Sequence, residues 1–327
     1  MNEGTGWYQG DCHAHSAASN GGEMTPEQLL AAARGAVLDS SVVTERNSCC
    51  LQAGWKRGVD RDLLVVPGQE VPTRDGHWLA LGLRPGQVVD RRYGAADGAT
   101  DRRPAEVRGG GGLCVAAHPF APYGSGTFRC PYRGFDLVEV WNGPWRSELP
   151  WQADNEAAPA QWARSLTADL RRGRRWRPAT GSSDTHLAGR IGIPRTVVLA
   201  DGPERAAILA GLRAGRSRIA AGSAVELSFT LIGGGRGAGI GEALTVGDES
   251  GVVVRAEPQG VPAGTVSLHT AKGRVREAAL PRTDADTVEW RVGAAEATQA
   301  LFARAEVRDA EGAVAALTNP VLLEPRR

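Results

Sequence analysis

Gly10-Asp11-Cys12-His13-Ala14-His15-Ser16 is the stretch on which the reading of this chain turns. It follows the short apolar-aromatic pair Trp7-Tyr8, as the end of a β-strand would. In an extended strand alternate side chains share a face, so His13 and His15 point together while Cys12 and Ala14 point away. Two imidazoles paired in this way form a donor set for a borderline divalent metal. Three further signatures repeat the pattern of an apolar run ending in groups that ligate metals. Glu70 follows Leu63-Leu64-Val65-Val66-Pro67-Gly68, with His77 seven residues later. His118 closes Leu113-Cys114-Val115-Ala116-Ala117. Asp184-Thr185-His186 follows Gly181-Ser182-Ser183, and the strand period again predicts Asp184 and His186 on one face. An isolated histidine after an apolar run is ordinarily a packing or capping residue. Here five of the six histidines fall in these signatures, which argues for a metal site. The sixth, His269, lies in an ordinary strand-like run.

The 327 residues suffice for one barrel of about 200 to 250 residues plus a smaller unit. A net charge of +1 gives no electrostatic case for a nucleic-acid polymer or an anionic membrane. The five cysteines (Cys12, Cys49, Cys50, Cys114, Cys130) form no Cys-x-x-Cys, so neither a disulfide framework nor a zinc knuckle is expected. No apolar run is of spanning length and no signal segment is evident, so a cytoplasmic protein is the expectation.

Residues 1–220 alternate short apolar runs with helical stretches, the pattern of a parallel α/β arrangement. Thr25-Pro26-Glu27-Gln28 predicts a helix start, with Thr25 as N-cap and Gln28 completing a capping box. Runs at 42–44, 63–66, 113–117, 137–140 and 196–199 read as strands, and 156–170 and 203–214 as helices. Beyond Gly222 short strand-like runs are separated by Gly, Pro and Asp clusters, as in a β-sandwich. The expected domains are 1–220 and an all-β unit at 221–327. The glycine runs at 109–112 and 233–239 lack the Lys-Ser/Thr of a phosphate loop and read as ordinary loops.

The signatures together resemble the polymerase and histidinol phosphatase (PHP) domain metallohydrolases, and within them the CehA/McbA-like branch. The resemblance spans residues 9–200 and rests on the motifs above together with Thr25-Pro26-Glu27-Gln28-Leu29, Pro67-Gly68-Gln69-Glu70, Ala117-His118-Pro119 and Val138-Glu139-Val140-Trp141-Asn142-Gly143. Thr318-Asn319-Pro320 is also similar to that branch. The resemblance implies a distorted seven-stranded (β/α) barrel, with catalytic side chains at the carboxyl ends of strands as in TIM-like barrels. It implies two divalent metal ions, manganese, iron or zinc, which clamp attacking and leaving oxygens and generate hydroxide at neutral pH. One ion falls to His13, His15, Glu70 and Asp184, the other to Glu70, His77 and His118, so Glu70 bridges. Asp11 shares the strand face of His13 and His15 and is expected to orient an imidazole, and Glu45 to support the ligands.

The departures are informative. Many relatives carry Thr-Asp-His where this chain has Thr44-Glu45-Arg46-Asn47, and an Asp or His where it has Asn20-Gly21. Those residues, with the histidine matched by His186, hold a third ion in trinuclear members. A guanidinium stays protonated and ligates no metal, so a third ion is not expected. Arg46 either meets a phosphate or carboxylate oxygen of the substrate, or turns outward or toward Glu45. His186 is then available to protonate a leaving group. Trp141 and Asn142 are candidate substrate contacts. Trp145, Trp151, Trp162, Trp176 and Tyr123 either wall a pocket for a ring-bearing substrate or pack helices onto the barrel.

The leading function is hydrolysis of a small anionic phosphomono- or diester. The alternatives are metal-dependent hydrolysis of a C–N or carboxyl-ester bond, and a metal-binding module without catalysis. Homo-oligomerisation is one job open to the C-terminal region.

Overall fold

A computed structural model describes residues 4–19, 21–46, 62–247, 251–283 and 286–326. The expectations on Asn20, Asn47 and Cys49-Cys50 lie outside the described residues. The chain divides into two compact units, Met1–Pro159 with Arg177–Arg213, and Ala160–Trp176 with Ala214–Arg327. The second unit thus takes in a helical stretch from ahead of the boundary expected at 220. Trp162 on that stretch is buried, with the Arg304 guanidinium 5.5 Å from its ring.

The first unit begins with β1 (Gly6–Ala14) and α1 (Pro26–Gly35). The Thr25 hydroxyl accepts the Gln28 N–H, and the Gln28 side chain accepts the Thr25 N–H, so the expected capping box is formed. There follow β2 (Ser40–Val43), β3 (Leu64–Thr73), β4 (Gly76–Leu81), α2 (Ala99–Gly109), β5 (Leu113–Ala116) and β6 (Leu137–Asn142). Next come α3 (Ala157–Arg171), most of which belongs to the second unit, and then β7 (Ala179–Ser182), β8 (Arg195–Ala200) and α4 (Arg205–Ala214).

These strands lie in the order β8-β1-β2-β3-β4-β5-β6-β7. An isolated parallel bridge from Ala14 to Thr185 returns from beyond β7 to the end of β1. The fold is mixed α/β but holds fewer helices than strict alternation requires. β3 and β4 are joined as an antiparallel hairpin through Arg74-Asp75, and no helix separates β5 from β6 or β7 from β8. The hairpin has a local cause. Gly76 takes φ +121°, and a Cβ there would lie 2.6 Å from the Phe128 Cα, so only glycine closes this turn.

β4 is buried on both faces. Leu79 and Leu81 enter one apolar cluster with Val42, Val66 and Val115, while Trp78 and Ala80 enter another with Cys114 and Phe135. A strand covered on both sides reads as a continuous apolar run, here Trp78-Leu79-Ala80-Leu81. Because β4 runs against β3 and β5, its first residues lie beside the carboxyl ends of the parallel strands. His77 is brought to that end.

The second unit contains β9 (Ser217–Ala220), β10 (Glu226–Gly233), β11 (Arg236–Gly239), β12 (Ala243–Val246), β13 (Val252–Gln259) and β14 (Thr265–Thr270). It continues with β15 (Gly273–Ala279), β16 (Val288–Val292), α5 (Ala294–Ala300), β17 (Phe302–Arg308), β18 (Val314–Thr318) and β19 (Val321–Pro325). One sheet has the order β11-β10-β13-β16; the other joins β12, β19, β17, β18 and β9, with β14 and β15 branching from β17. Alternate residues of both sheets, including Leu227, Phe229, Val254, Leu268 and Val307, form one core. The region is not all-β, since α5 interrupts it, with Ala297 and Ala300 set into that core. No helix among the described residues is long and apolar enough to cross a membrane.

Candidate metal centre

The carboxyl ends of β1, β5 and β7 and the β3–β4 hairpin bring six side chains into one cluster: His13, His15, Glu70, His77, His118 and Asp184. The backbone reaches two of them by uncommon conformations. His118 has φ +23° and Asp184 φ +46°, left-handed values that cost a non-glycine residue about 1–3 kcal/mol and cluster at functional sites. Asp184 lies beyond the end of β7 and His186 turns its Nδ1 to the Asp184 carbonyl at 2.9 Å. A local turn, not strand alternation, therefore sets this pair.

The spacing of the polar atoms is the main observation. His13 Nε2 and His15 Nε2 are 3.1 Å apart, and Asp184 Oδ1 stands 3.2 Å and 3.1 Å from them. Glu70 offers one oxygen to each side. Its Oε2 is 3.4 Å from His15 Nε2, while its Oε1 is 2.7 Å from His77 Nδ1 and 3.3 Å from His118 Nε2. Ligand atoms about 2.1 Å from one ion are separated from each other by roughly 3.0–3.4 Å; the His13–His15, His13–Asp184, His15–Asp184 and His15–Glu70 separations fall in that range, and the Glu70, His77 and His118 atoms lie within 4.8 Å of one another. Among the described residues Asp184 Oδ1 is buried without a hydrogen-bond partner, as are His15 Nδ1 and His118 Nδ1. The donor set and its convergence fit a divalent ion.

Electrostatics agree. Burial alone would raise the Glu70 carboxyl, but the imidazoles of His118, His13 and His77 outweigh it and hold it well below the usual carboxylate range. Burial likewise opposes ionisation of Asp184, and His13 and His15 overcome it. Burial would lower His13, yet Asp184, Glu139 and Glu70 raise it; at His15 burial wins and lowers it.

Glu139, in the Val138–Gly143 motif, is a site residue that sequence reasoning missed. Fully buried on β6, it accepts from His13 Nδ1 at 3.1 Å, from the His118 N–H at 2.8 Å and from Asn142 Nδ2 at 3.2 Å. It meets the spacing of a ligand group with His13 and His118. Both of its oxygens are occupied by these donors, however, and the bond at Nδ1 leaves His13 Nε2 as the ligating nitrogen. A glutamate alternating with Val138 and Val140 on a buried strand was the available signal.

The other expected residues are placed as follows. The Arg46 side chain faces inward, its Nε 2.6 Å from Glu70 Oε2, and is neither outward nor paired with Glu45. Glu45 accepts from the Ser16 N–H and from the hydroxyls of Ser16 and Ser19, fixing the turn after His15. Asp11 orients no imidazole. Its carboxylate accepts the N–H groups of His13, Ser183 and Gly192 and the Ser183 hydroxyl, so it ties β1 to the loops beyond β7. Trp141 makes no substrate surface: it is buried, with its indole N–H on the Gly143 carbonyl and its ring edge-on to Trp145. Asn142 does border the site, with Nδ2 3.3 Å from Asp184 Oδ2. The His186 ring lies 4.5 Å from that of His15.

A cavity of about 680 Å³ opens over the cluster, lined by His77, His118, Asp184, His186, Arg46 and Tyr123, with Arg91, Arg190, Leu149 and Trp151 among its further walls. Of the tryptophans named from the sequence, Trp151 is the one on this wall.

The family described as PHP-associated matches residues 169–217. No curated protein matches the chain. A two-domain protein from Bacteroides vulgatus, described as containing a predicted PHP-like metal-dependent phosphoesterase, is similar over 98% of this chain and 96% of its own, with 18% identity and a TM-score of 0.50. PsfC from Pseudomonas syringae aligns over 60% of this chain and 83% of its own (20% identity, TM-score 0.42). An amidohydrolase from Chromobacterium violaceum aligns over 56% and 89% (16% identity, TM-score 0.40). Those two likenesses are too loose to bear on the argument. The chain is thus similar to PHP-associated sequences over 169–217 and shares the fold of a PHP-like two-domain protein.

Proposed function

We propose that this chain is a metal-dependent phosphoesterase of the PHP domain family, in its CehA/McbA-like branch, acting on a small anionic phosphomono- or diester at a dinuclear centre. The observation that carries the reading is the placing of Glu70, whose Oε2 lies 3.4 Å from His15 Nε2 beside the His13, His15 and Asp184 group while its Oε1 lies 2.7 Å from His77 Nδ1 in the group with His118. The run β1 to β7, with its Ala14–Thr185 bridge, supports a distorted seven-stranded barrel as the scaffold. The catalytic residues then belong to 1–220, and 221–327 is a sandwich that carries none.

His13, His15, Glu70 and Asp184 would hold one ion, and Glu70, His77 and His118 the other; manganese, iron and zinc all suit these donors. Bound divalent ions supply Lewis acidity and lower the pKa of water. Glu139 keeps the His13 ring in the tautomer that ligates through Nε2. Arg46 lines the cavity with Nε on Glu70 Oε2, and its guanidinium would meet a phosphoryl oxygen of a substrate bound there. It also places a fixed cation there, which disfavours a third ion. His186 lines the cavity with its Nδ1–H turned to a carbonyl, and its imidazolium form would give the Nε2 proton to the leaving group.

Manganese-loaded protein assayed against phosphate monoesters, phosphate diesters, amides and carboxyl esters tests this. Turnover of phosphate esters is expected. Turnover confined to amides or carboxyl esters would replace the reading with carbonyl hydrolysis, and none at all would leave a binding module.

A further inference from the structure

Tyr123 stands at the His77–His118 end of the cluster in a seat shaped for its ring. The ring meets His77 edge-on at 5.9 Å and lies 6.5 Å from His118. Its side chain lines the same cavity as Arg46, Asp184 and His186. Among the described residues its hydroxyl has no hydrogen-bond partner. A Cβ on Gly126 would fall 2.1 Å from the ring's Cε2 and 2.3 Å from Cζ, so any larger residue there would displace the ring. The loop is tied to keep this arrangement. The Tyr123 carbonyl accepts the N–H groups of Gly126 (2.9 Å) and Thr127 (3.0 Å), and the Thr127 hydroxyl donates to the Ala121 carbonyl at 2.7 Å. At the loop's ends the Ala121 N–H reaches the His118 carbonyl and the Phe128 N–H the Pro119 carbonyl.

Packing alone does not account for a phenol so placed, since a phenylalanine would fill the same seat. We propose that Tyr123 is a catalytic residue whose O–H donates a hydrogen bond to a non-bridging oxygen of the substrate's phosphoryl group. This rests on the phosphoesterase reading. His186 stands beside His15 at the other end, so the two side chains flank a group bound over the cluster. A phenol is neutral at working pH and donates without adding charge. A fixed donor aimed at oxygens that gain charge in the transition state lowers the barrier without reorganisation.

The test uses Tyr123→Phe and Gly126→Ala in manganese-loaded full-length protein, with orthophosphate as probe. A donor to an ionised group is worth a factor of roughly ten to a hundred. Tyr123→Phe should lower kcat/KM for a phosphate ester and weaken orthophosphate binding by about that factor, with metal content and Tm unchanged. Gly126→Ala keeps the phenol but moves it, and should lose in the same direction. Orthophosphate binding and turnover equal to wild type in Tyr123→Phe would overturn the proposal alone. A wild-type protein that neither binds orthophosphate nor cleaves phosphate esters would overturn the phosphoesterase reading, and this role with it.

Discussion

Replacing Glu139 by Gln removes one charge and one acceptor from the buried wall behind His13. The carboxylate accepts from His13 Nδ1 on one oxygen and from the His118 N–H and Asn142 Nδ2 on the other. A glutamine amide has one acceptor and one donor end. Its oxygen is best placed toward His118 and Asn142, where two donors converge, which turns its NH2 toward His13 Nδ1. The ring must then accept at Nδ1 and carry its proton on Nε2, the nitrogen aimed at Asp184 and His15. A protonated Nε2 ligates no metal. A hydrogen bond to a charged group is worth about 1.5–3 kcal/mol, and losing the carboxylate behind a ligating imidazole costs about 10–100-fold in metal affinity. The two figures agree, because a tenfold change is about 1.4 kcal/mol. Competition with a chromogenic chelator should therefore show Glu139→Gln binding its ions about 10–100-fold more weakly, with turnover restored at saturating metal. Superimposable competition curves for variant and wild type would refute the role.

Arg46→Ala should lower kcat/KM by roughly ten- to a hundredfold at unchanged metal content, and Arg46→Lys should restore only part because an ammonium lacks the planar fork; unaltered kinetics in the alanine variant would exclude substrate contact. In chelator-treated protein, Glu70 and Asp184 stay ionised below their ordinary pKa values of 4.5 and 3.8 because imidazoles outweigh their burial. Their stabilisation is full above those values and lost as pH falls through the lower folded ones, so Tm should drop from about pH 5 to about pH 3. A flat profile over that range would contradict the assignment. His269 belongs to the second unit, 3.0 Å from the Ser267 hydroxyl, and burial lowers it to about 3, so it is neutral at working pH. His269→Ala should retain full turnover per folded molecule, and a loss of turnover with Tm intact would show that the second unit takes part in catalysis.

The residues of the cluster were legible because ligation demands particular side chains, and those are scarce in this chain. Alternation along β1 also predicted that His13 and His15 share a face. Alternation misled at Asp11, which lies on that face of the strand but whose oxygens are taken up by backbone N–H groups from residues 172 and 181 positions away. No local pattern reports such partners. Asp184 and His186 escaped the same logic because the chain leaves β7 at Ser182 and turns through a left-handed residue. The helix at Thr25 was predictable because its cap is local, closed within three residues. The β3–β4 hairpin was equally local, and Gly76, at φ +121°, is its signal. It was overlooked because β4, buried on both faces, lacks the polar alternation by which half-buried strands are recognised. Trp141 shows the converse: an aromatic residue beside site residues on one strand points to the opposite face and packs.

Metal analysis of the purified chain beside its Glu70→Ala variant bears most directly on the shared carboxylate. Glu70 presents separate oxygens to the two ligand groups, so removing it should disable both. The expected result is about two divalent ions per wild-type chain, in line with the two groups, and neither retained by Glu70→Ala. One ion in the wild type, or full occupancy in the variant, would contradict the dinuclear account.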